Sequence, residues 1–228
     1  MTDGISNRKV ILIVYEYFYP GFKAGGPVQS LVNLVNTLEG YAFKVITTGY
    51  DFNDSTPYPD AKLDDWNALT LQEGHRPVDV FYSSSNGLTK IWVVLRAVRP
   101  PMLYLNGLFT RWGFCVLLLK RIGFLNDTTL ILAPRGMLQQ GALSIKPLKK
   151  KLFLSVMKVL GLTRNLRWHA TDEQEKTDIQ AAFGHHAKID VAFNIPKPLM
   201  PMTEGRPKRA GNLELVFLSL ITEKKNLH

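Results

Sequence analysis

The sequence predicts an α/β fold built on a doubly wound, parallel sheet. Several short runs are almost continuously apolar and rich in β-branched residues, as in strands that a sheet buries on both faces. Between these runs, apolar residues recur at the three- and four-residue spacing of amphipathic helices. The two patterns alternate along the chain, and this alternation is typical of parallel α/β sheets.

Seven strands are predicted from the apolar runs. The first run, KVILIVY, and the fifth, TLILA, are the most uniformly apolar. Each run is followed within a few residues by Gly, Pro or polar residues that favour a turn. In chain order the predicted strands are residues 9–15, 43–47, 78–82, 102–105, 129–133, 166–170 and 188–192.

Five helices are predicted between the strands. Pro27 suits the first turn of the first helix. Pro100 and Pro101 end the second helix. Thr171 or Asp172 is expected to cap the last helix. In chain order the predicted helices are residues 28–38, 88–98, 112–121, 143–160 and 171–183.

Three stretches depart from the alternation. Residues 51–73 are rich in Pro, Asp and Tyr and predict a long acidic loop with little regular structure. Residues 194–211 contain four prolines and predict a linker. The run LELVFLSL at residues 213–220 predicts one more strand, which cannot bury its own faces. The expected organisation is a large domain at residues 1–193, the linker, and the first strand of a truncated second domain at residues 212–228.

Length and composition exclude several classes of protein. The chain has 228 residues, of which 46% are hydrophobic, so it can bury a sizeable core and is not expected to be disordered. Its single cysteine, Cys115, cannot form an internal disulfide. Residues 1–8 do not resemble a signal peptide, and no run reaches the ~18 apolar residues of a membrane-spanning helix. We therefore expect a cytoplasmic protein.

The positive charge is concentrated in one interval. The formal net charge is +9, and no acidic residue occurs between Asp127 and Asp172, where eight basic residues lie. Such asymmetry predicts an anionic partner, which would be phosphate groups, a membrane surface or nucleic acid. Nucleic acid is disfavoured because the interval lacks the interleaved aromatic residues of a stacking platform. A solvated helix face is the alternative.

The predicted helix at residues 143–160 has a broad apolar face and a lysine-rich side. We expect the apolar face to pack on the sheet. Its members are Leu148, Leu152, Phe153, Val156, Val159 and Leu160. The lysines form a candidate membrane patch, in which each contributes about 1 kcal/mol near an anionic surface. The patch consists of Lys149, Lys150, Lys151 and Lys158.

Glycines and polar residues follow several of the predicted strands. The carboxyl ends of parallel strands meet at one edge, where open α/β sheets bind their ligands. Gly25 and Gly26 would let backbone N–H groups approach a phosphate there, although a simple tight turn is the alternative. Arg135, which follows the fifth strand, can bind a phosphate or carboxylate bidentately, with an ion pair or a capping contact as its alternative.

Further candidates lie at the same predicted edge. Asn106 follows the fourth strand and Gly136 follows Arg135. His169 ends the sixth strand, where either a role in the site or a structural role fits.

The chain has neither the G-x-G-x-x-G nor the G-x-x-x-x-G-K-[ST] motif, which disfavours NAD enzymes and P-loop kinases. No G-x-S-x-G motif and no metal-ligand spacing occur, which disfavours acyl-transfer hydrolases and metal sites.

Taken together, the sequence resembles the N-terminal half of GT-B-fold glycosyltransferases of family 4, the kind that build bacterial capsular and lipopolysaccharide sugars. The matching blocks follow the family's order along nearly the whole chain. They are YFYPGFKAGGP at residues 17–27, YLNGLF at 104–109, APRGML at 133–138 with Gly141, Ala142, Leu143 and Lys146 behind it, HATDEQE at 169–175 and FLSLITEKKNL at 217–227.

The resemblance implies two Rossmann-like domains that face each other across a cleft. The N-terminal domain mainly holds the acceptor and the C-terminal domain most of the nucleotide sugar. It implies retaining transfer with no metal or other cofactor, in which backbone amides and basic side chains stabilise the leaving group. It identifies no individual catalytic residue. By position, the residues near the donor phosphates are Gly25, Gly26 and Lys225. Those on the acceptor side of the cleft are Asn106, Arg135, Gly136 and His169.

The sequence departs from the family pattern at three places. Leu220 stands where the family has the arginine partner of Lys225. Asn106 stands where many relatives have a histidine. The E-x7-E region has no counterpart before His228, so we expect a truncated enzyme that is inactive alone or needs a separately encoded C-terminal half.

The expected substrates are a nucleotide sugar and a lipid-linked glycan, at the inner face of the cell membrane. A different class of function also fits the sequence, namely a non-catalytic membrane- or glycan-binding module derived from the same fold. A nucleotide-sugar-modifying enzyme is disfavoured because the dinucleotide fingerprint is missing.

Overall fold

The computed structural model describes residues 8–197 and residue 211. Within residues 8–197 the chain forms eight strands and six helices, which alternate except that β2, β3 and β4 are consecutive and α5 follows α4. The strands are β1 (Val10–Val14), β2 (Ala42–Thr48), β3 (Trp66–Leu69), β4 (Val78–Ser83), β5 (Met102–Asn106), β6 (Thr129–Ala133), β7 (Arg167–Ala170) and β8 (Ile189–Val191). The helices are α1 (Gly26–Thr37), α2 (Leu88–Val98), α3 (Arg111–Arg121), α4 (Gln140–Leu143), α5 (Pro147–Val159) and α6 (Glu173–Phe183).

All eight strands belong to one open sheet. Their spatial order is β3-β4-β2-β1-β5-β6-β7-β8, and every neighbouring pair is parallel except β3 with β4. The chain builds outward from β1 through β2 to β4 and then returns to the other side of β1 as β5. The order of the strands therefore reverses between β1 and β5. This mostly parallel, open sheet confirms the predicted α/β class and is consistent with a Rossmann-like domain.

The sheet is buried on both faces because its central strands are apolar throughout. In β1, Ile13 belongs to the core that α1 covers, which also contains Leu31 of that helix. Leu12 belongs to the opposite core, together with Trp112 of α3 and Ile179 of α6. Successive strand residues point to opposite faces, so one apolar run serves both cores. Each such side chain contributes about 1.5–3 kcal/mol on burial.

The predicted elements agree closely with the observed ones. All seven predicted strands, and every predicted helix except 143–160, have boundaries within two residues of the structure. Asp172 caps α6, since its carboxylate accepts a hydrogen bond from the Glu175 N–H at 2.7 Å. The alternative cap, Thr171, is not used in this way. Local sequence signals were sufficient to predict these boundaries, because tertiary packing favours the same strands and helices as the local sequence does.

The acidic stretch at residues 51–73 is more regular than predicted. It contains β3, which pairs antiparallel with β4 and forms one edge of the sheet. The Trp66 ring packs edge-on against Phe81, with centroids 5.5 Å apart, and the Lys44 ammonium lies 4.6 Å from the Trp66 ring centroid. Cross-strand contacts of this kind stabilise a short strand that its own composition does not reveal.

The predicted helix at residues 143–160 is in fact two helices. The four-residue α4 ends at Leu143, and α5 begins at Pro147. Between them Lys146 adopts the left-handed conformation, with φ 55°, which interrupts the helical path. Pro147 then begins a new helix, because the first turn requires no intrahelical N–H donor from it.

The apolar face of α5 does not pack as predicted. Phe153 and Met157 contact the core, whereas Leu148, Leu152 and Val159 are 82%, 67% and 85% exposed. Val156 and Leu160 are also exposed. The reason is that apolar residues occupy most of the circumference of α5, so only one part of that circumference can face the sheet.

Several sequence predictions lie outside the described residues. They are most of the linker, the strand at residues 213–220 and Lys225. In the part of the chain from residue 8 to residue 197, no helix combines the length and the apolarity needed to cross a membrane.

Candidate functional site

A cavity of about 490 Å³ opens at the carboxyl edge of the sheet, where the strand order reverses. This is the position at which open α/β sheets bind their ligands. The start of α1 forms one wall, and the loop after β6 forms another. The residues around it include Gly26, Pro27, Ser30, Asn33, Arg135, Gly136, Gln139, Thr171, Asn194 and Ile195.

The turn into α1 brings Gly26 and the start of the helix to this cavity, while the Gly25 N–H donates to the Phe22 carbonyl at 3.0 Å. Gly25 has φ 79° and ψ −144°, a conformation essentially restricted to glycine, and it stands at the N-cap of α1. No side chain caps this end of the helix, and its first turn holds no acidic residue. No acidic side chain of this first turn therefore neutralises the partial positive charge that the helix N-terminus directs at the cavity.

A buried carboxylate fixes the loop that leads to this turn. Asp51 accepts hydrogen bonds from the backbone N–H groups of Phe22 at 3.0 Å and Lys23 at 3.2 Å. It also accepts one from the Phe52 N–H at 2.7 Å. Burial alone would raise the pKa of Asp51, but these backbone hydrogen bonds outweigh it and lower that pKa. Asp51 therefore holds the β1–α1 loop in place as an anion.

Arg135 is the central cation of the site. It adopts the left-handed conformation, with φ 57°, directly after β6. Its Nε donates to Asn106 Oδ1 at 2.8 Å, and one terminal nitrogen donates to the Tyr104 hydroxyl at 3.1 Å. The other terminal nitrogen donates to Asn194 Oδ1 and lies 3.4 Å from Ser30 Oγ on α1. The guanidinium thus connects β5, β6, α1 and the chain after β8.

A directional hydrogen-bond chain continues from Arg135 through Tyr104 to His169. The Ala192 carbonyl can only accept, so the His169 Nε2, at 2.8 Å from it, carries the proton. His169 Nδ1 then accepts from the Tyr104 hydroxyl at 2.6 Å. Burial lowers the pKa of His169, and the charge of Arg135 lowers it further, although the hydrogen bond to Ala192 acts in the opposite direction. His169 is therefore a neutral, oriented imidazole at neutral pH.

Glu175 braces the loop that carries Arg135. Its carboxylate is 1% exposed and accepts from the Gly136 N–H at 2.6 Å. Its other oxygen accepts from the Thr171 N–H at 2.7 Å and the Thr171 hydroxyl at 2.8 Å. Gly136 has φ 70°, which the absence of a side chain makes accessible. Glu175 thereby ties the loop after β6 to the start of α6.

The structure brings together most of the residues predicted for the site. Gly26, Arg135 and Gly136 line the cavity, and Gly25 adjoins it. Asn106 is 1% exposed and lies against Arg135 rather than in the open cavity. His169 is behind Tyr104. The roles of these residues towards a donor or an acceptor stay predictions.

The candidate membrane lysines form a separate surface on α5. Lys149, Lys151 and Lys158 are exposed. Lys150 is half-buried, because its ammonium donates to the Ala142 carbonyl and lies 5.3 Å from the centroid of the Phe109 ring. The lysines therefore do not behave as four equivalent groups.

Three residues of the Arg135 network were missed from the sequence: Ser30, Tyr104 and Asn194. Tyr104 had a detectable signal, because it precedes Asn106 by two residues and so shares its face of β5. Ser30 and Asn194 had none, since their positions depend on how α1 and the chain after β8 meet.

No protein-family model matches this chain, and no curated protein matches it. Among residues 8–197, no group of three or more His, Cys, Asp or Glu side chains comes together in an arrangement that could hold a metal ion.

Proposed function

We propose that this chain forms the acceptor-side domain of a retaining, nucleotide-sugar-dependent glycosyltransferase of GT-B type, family 4, acting in bacterial surface-polysaccharide synthesis. One observation carries the proposal: the N-terminus of α1 and the Arg135 guanidinium converge on a single cavity at the reversal of strand order. A helix N-terminus and an arginine guanidinium are both well suited to bind phosphate.

The chemistry around the cavity suits a phosphorylated sugar. Its volume of about 490 Å³ lies within the range of small-molecule sites. Hydroxyl and amide side chains, among them Ser30, Asn33 and Asn194, surround the cationic end. Such groups form hydrogen bonds with sugar hydroxyls, while Arg135 and the helix N-terminus meet the negative charge.

The Gly26 amide and, from the side of the cavity predicted for the acceptor, Arg135 would act on the leaving diphosphate by electrostatic stabilisation. The Gly25 N–H donates to the Phe22 carbonyl at 3.0 Å and instead holds the turn. Negative charge develops on the diphosphate as the sugar departs, and donors already fixed in place stabilise that charge without reorganising. His169 is held neutral by its surroundings, and burial raises the pKa of Tyr104. Of the three hydrogen-bonded residues Arg135, Tyr104 and His169, Arg135 is therefore the one that carries a charge.

The acceptor is proposed to be a lipid-linked glycan at the cytoplasmic face of the membrane. The support for this part is the absence of any acidic residue between Asp127 and Asp172, because an anionic surface attracts an interval of net charge +8. The eight basic residues of that interval include Arg135 itself, so the site and the basic surface are formed by neighbouring parts of the chain.

The proposal is tested by NMR titration of the full chain, labelled with nitrogen-15. The ligands are UDP-glucose, UDP-N-acetylglucosamine, GDP-mannose, a polyprenyl-diphosphate-linked sugar and NAD⁺. We expect at least one nucleotide sugar to shift the amide signals of Gly25, Gly26 and Gly136, and the lipid-linked sugar to shift signals around the same cavity. NAD⁺, which also carries a diphosphate, is expected to bind more weakly than the best of the nucleotide sugars.

Two results would contradict the proposal. Tighter binding of NAD⁺ than of any nucleotide sugar at these amides would point to a dinucleotide enzyme. Binding of the lipid-linked sugar, with no response to any of the three nucleotide sugars, would favour the non-catalytic glycan-binding module. The same titration with Arg135→Gln should show weaker responses at these amides. Its matched control is Arg96→Gln, which removes an exposed arginine in the last turn of α2, before β5 and thus at the opposite edge of the sheet.

A further inference from the structure

Helix α5 presents an apolar surface to solvent as well as to the core. Its inner side consists of Phe153, Leu154 and Met157, and the Phe153 ring contacts those of Phe109 and Phe114 at centroid distances of 5.4 and 5.9 Å. These contacts anchor the helix and fix which side faces outward. The packing of Phe153 against Phe109 and Phe114 therefore determines which residues of α5 face the solvent.

Four apolar residues form a continuous stripe along that outward side. They are separated by four, four and three positions, which places them on one face of a helix. We call them the outer stripe: Leu148, Leu152, Val156 and Val159. Val156, the least exposed, still has 36% of its surface in solvent. Ile145 and Leu160, which lie just outside the two ends of α5, are also exposed.

Exposed lysines border the outer stripe on both sides. At about 100° per residue, Lys149 falls on one side of the stripe, and Lys151 and Lys158 fall on the other. No acidic residue occurs anywhere between Asp127 and Asp172, so nothing in this stretch of sequence neutralises them. An apolar stripe with lysines along both borders matches a helix that lies in the plane of a membrane interface.

We propose that the outer stripe of α5 inserts into the surface of an anionic lipid bilayer. The four apolar side chains would enter the boundary between headgroups and acyl chains, and the flanking lysines would extend their ammonium groups to lipid phosphates. With 13 residues, α5 lies along the surface and does not cross it. This binding does not depend on the glycosyltransferase proposal.

The composition of this surface favours lipid over a protein partner. Protein interfaces are depleted in lysine and take their binding energy from Trp, Tyr and Arg anchors. The outer stripe and its borders contain no Trp, Tyr or Arg. Lysine side chains are flexible and are instead suited to an anionic bilayer, whose charged headgroups are mobile.

Membrane contact at α5 would also bring the cavity close to the bilayer. The segment that follows Arg135 and Gly136 leads through α4 to the start of α5, eleven residues after Gly136. The helix therefore begins at the same edge of the sheet at which the cavity opens. A bound bilayer would lie beside the cavity, within reach of a lipid-attached molecule.

The test is flotation of the full chain with vesicles of phosphatidylcholine alone or mixed with phosphatidylglycerol. The stripe variant combines Leu148→Gln, Leu152→Gln and Val159→Gln, three exposed positions whose change leaves the core intact. The control is Val93→Gln, a residue of α2 that is 56% exposed. We expect wild type and the control to float with the mixed vesicles, and the stripe variant to lose at least tenfold in affinity.

A second variant separates insertion from simple charge attraction. Replacing Lys149, Lys151 and Lys158 together by Gln should weaken binding to the mixed vesicles on the order of a hundredfold, from about 1 kcal/mol for each lysine. An environment-sensitive dye at Leu152→Cys should shift to the blue with the mixed vesicles, whereas the same dye at Val93→Cys should not. The native Cys115 is buried.

Three results would overturn the proposal. The first is a wild-type chain that does not bind the mixed vesicles. The second is a stripe variant that floats as well as wild type, which would leave only electrostatic adsorption through the lysines. The third is a wild-type dimer in analytical ultracentrifugation that the stripe variant converts to a monomer, because the stripe would then be a protein–protein contact.

Discussion

The buried carboxylate of Glu175 offers the sharpest test of how the site is held together. Its two oxygens accept three hydrogen bonds of 2.6 to 2.8 Å, and two of the donors are the backbone N–H groups of Gly136 and Thr171. Glu175→Ala removes the acceptor of both N–H groups. An unsatisfied buried donor costs about 1–3 kcal/mol, so the variant should lose about 2–6 kcal/mol of unfolding free energy.

The conservative variant refines this expectation. Glu175→Gln keeps one acceptor oxygen but turns an NH₂ group towards donors that need an acceptor, so we expect roughly half of the loss. Both variants are measured by urea unfolding, followed through the fluorescence of the buried residues Trp112 and Trp168. The Thr171 hydroxyl, the third donor, can rotate to another partner, so the predicted loss of unfolding free energy counts only the two backbone N–H groups.

A matched control exists on the same helix. Glu173 lies two residues earlier, its side chain is 75% exposed, and it pairs with Lys176 at 2.9 Å. Because a surface pair of this kind contributes less than about 1 kcal/mol, Glu173→Ala should have little effect on stability. If Glu175→Ala proves as mild as Glu173→Ala, the loop after β6 is not held by this carboxylate and the reasoning is refuted.

Three further predictions concern pH and the backbone. The lowered pKa of His169 means that, as pH falls from about 6.5, the unfolded chain gains a proton more readily than the folded one. Unfolding free energy should therefore decrease more steeply on acidification in wild type than in His169→Gln. Gly25→Ala should cost about 1–3 kcal/mol because of its backbone angles, whereas Gly26→Ala, whose added Cβ meets open space, should be nearly neutral in thermal unfolding. Asp51→Ala should increase amide exchange at Phe22, which loses its carboxylate acceptor.

The order of strands and helices could be predicted because each buried strand is an uninterrupted apolar run bounded by a turn signal. The convergence of Gly25, Gly26, Arg135 and Gly136 at one edge followed from the same prediction, since the carboxyl ends of parallel strands share an edge. These inferences need only the direction of the strands and not the conformation of any side chain.

The remaining features depend on contacts between distant parts of the chain. Tyr104 meets His169 across β6, which requires the register of three strands. Asn194 reaches Arg135 only because the chain after β8 returns to α1. In α5 the apolar residues cover so much of the circumference that the choice of inner side is made by Phe153 and its aromatic partners. Local sequence carries no signal for any of these choices.

Calorimetric titration tests the central claim, that Arg135 and the start of α1 bind the phosphates of a nucleotide sugar. It compares wild type, Arg135→Gln and Arg96→Gln, using whichever of UDP-glucose, UDP-N-acetylglucosamine and GDP-mannose binds wild type most tightly. A hydrogen bond to a charged group contributes about 1.5–3 kcal/mol, so Arg135→Gln should weaken binding by roughly ten- to a hundredfold while Arg96→Gln leaves it unchanged. Equal affinities in all three proteins, or no binding to wild type, would contradict the claim.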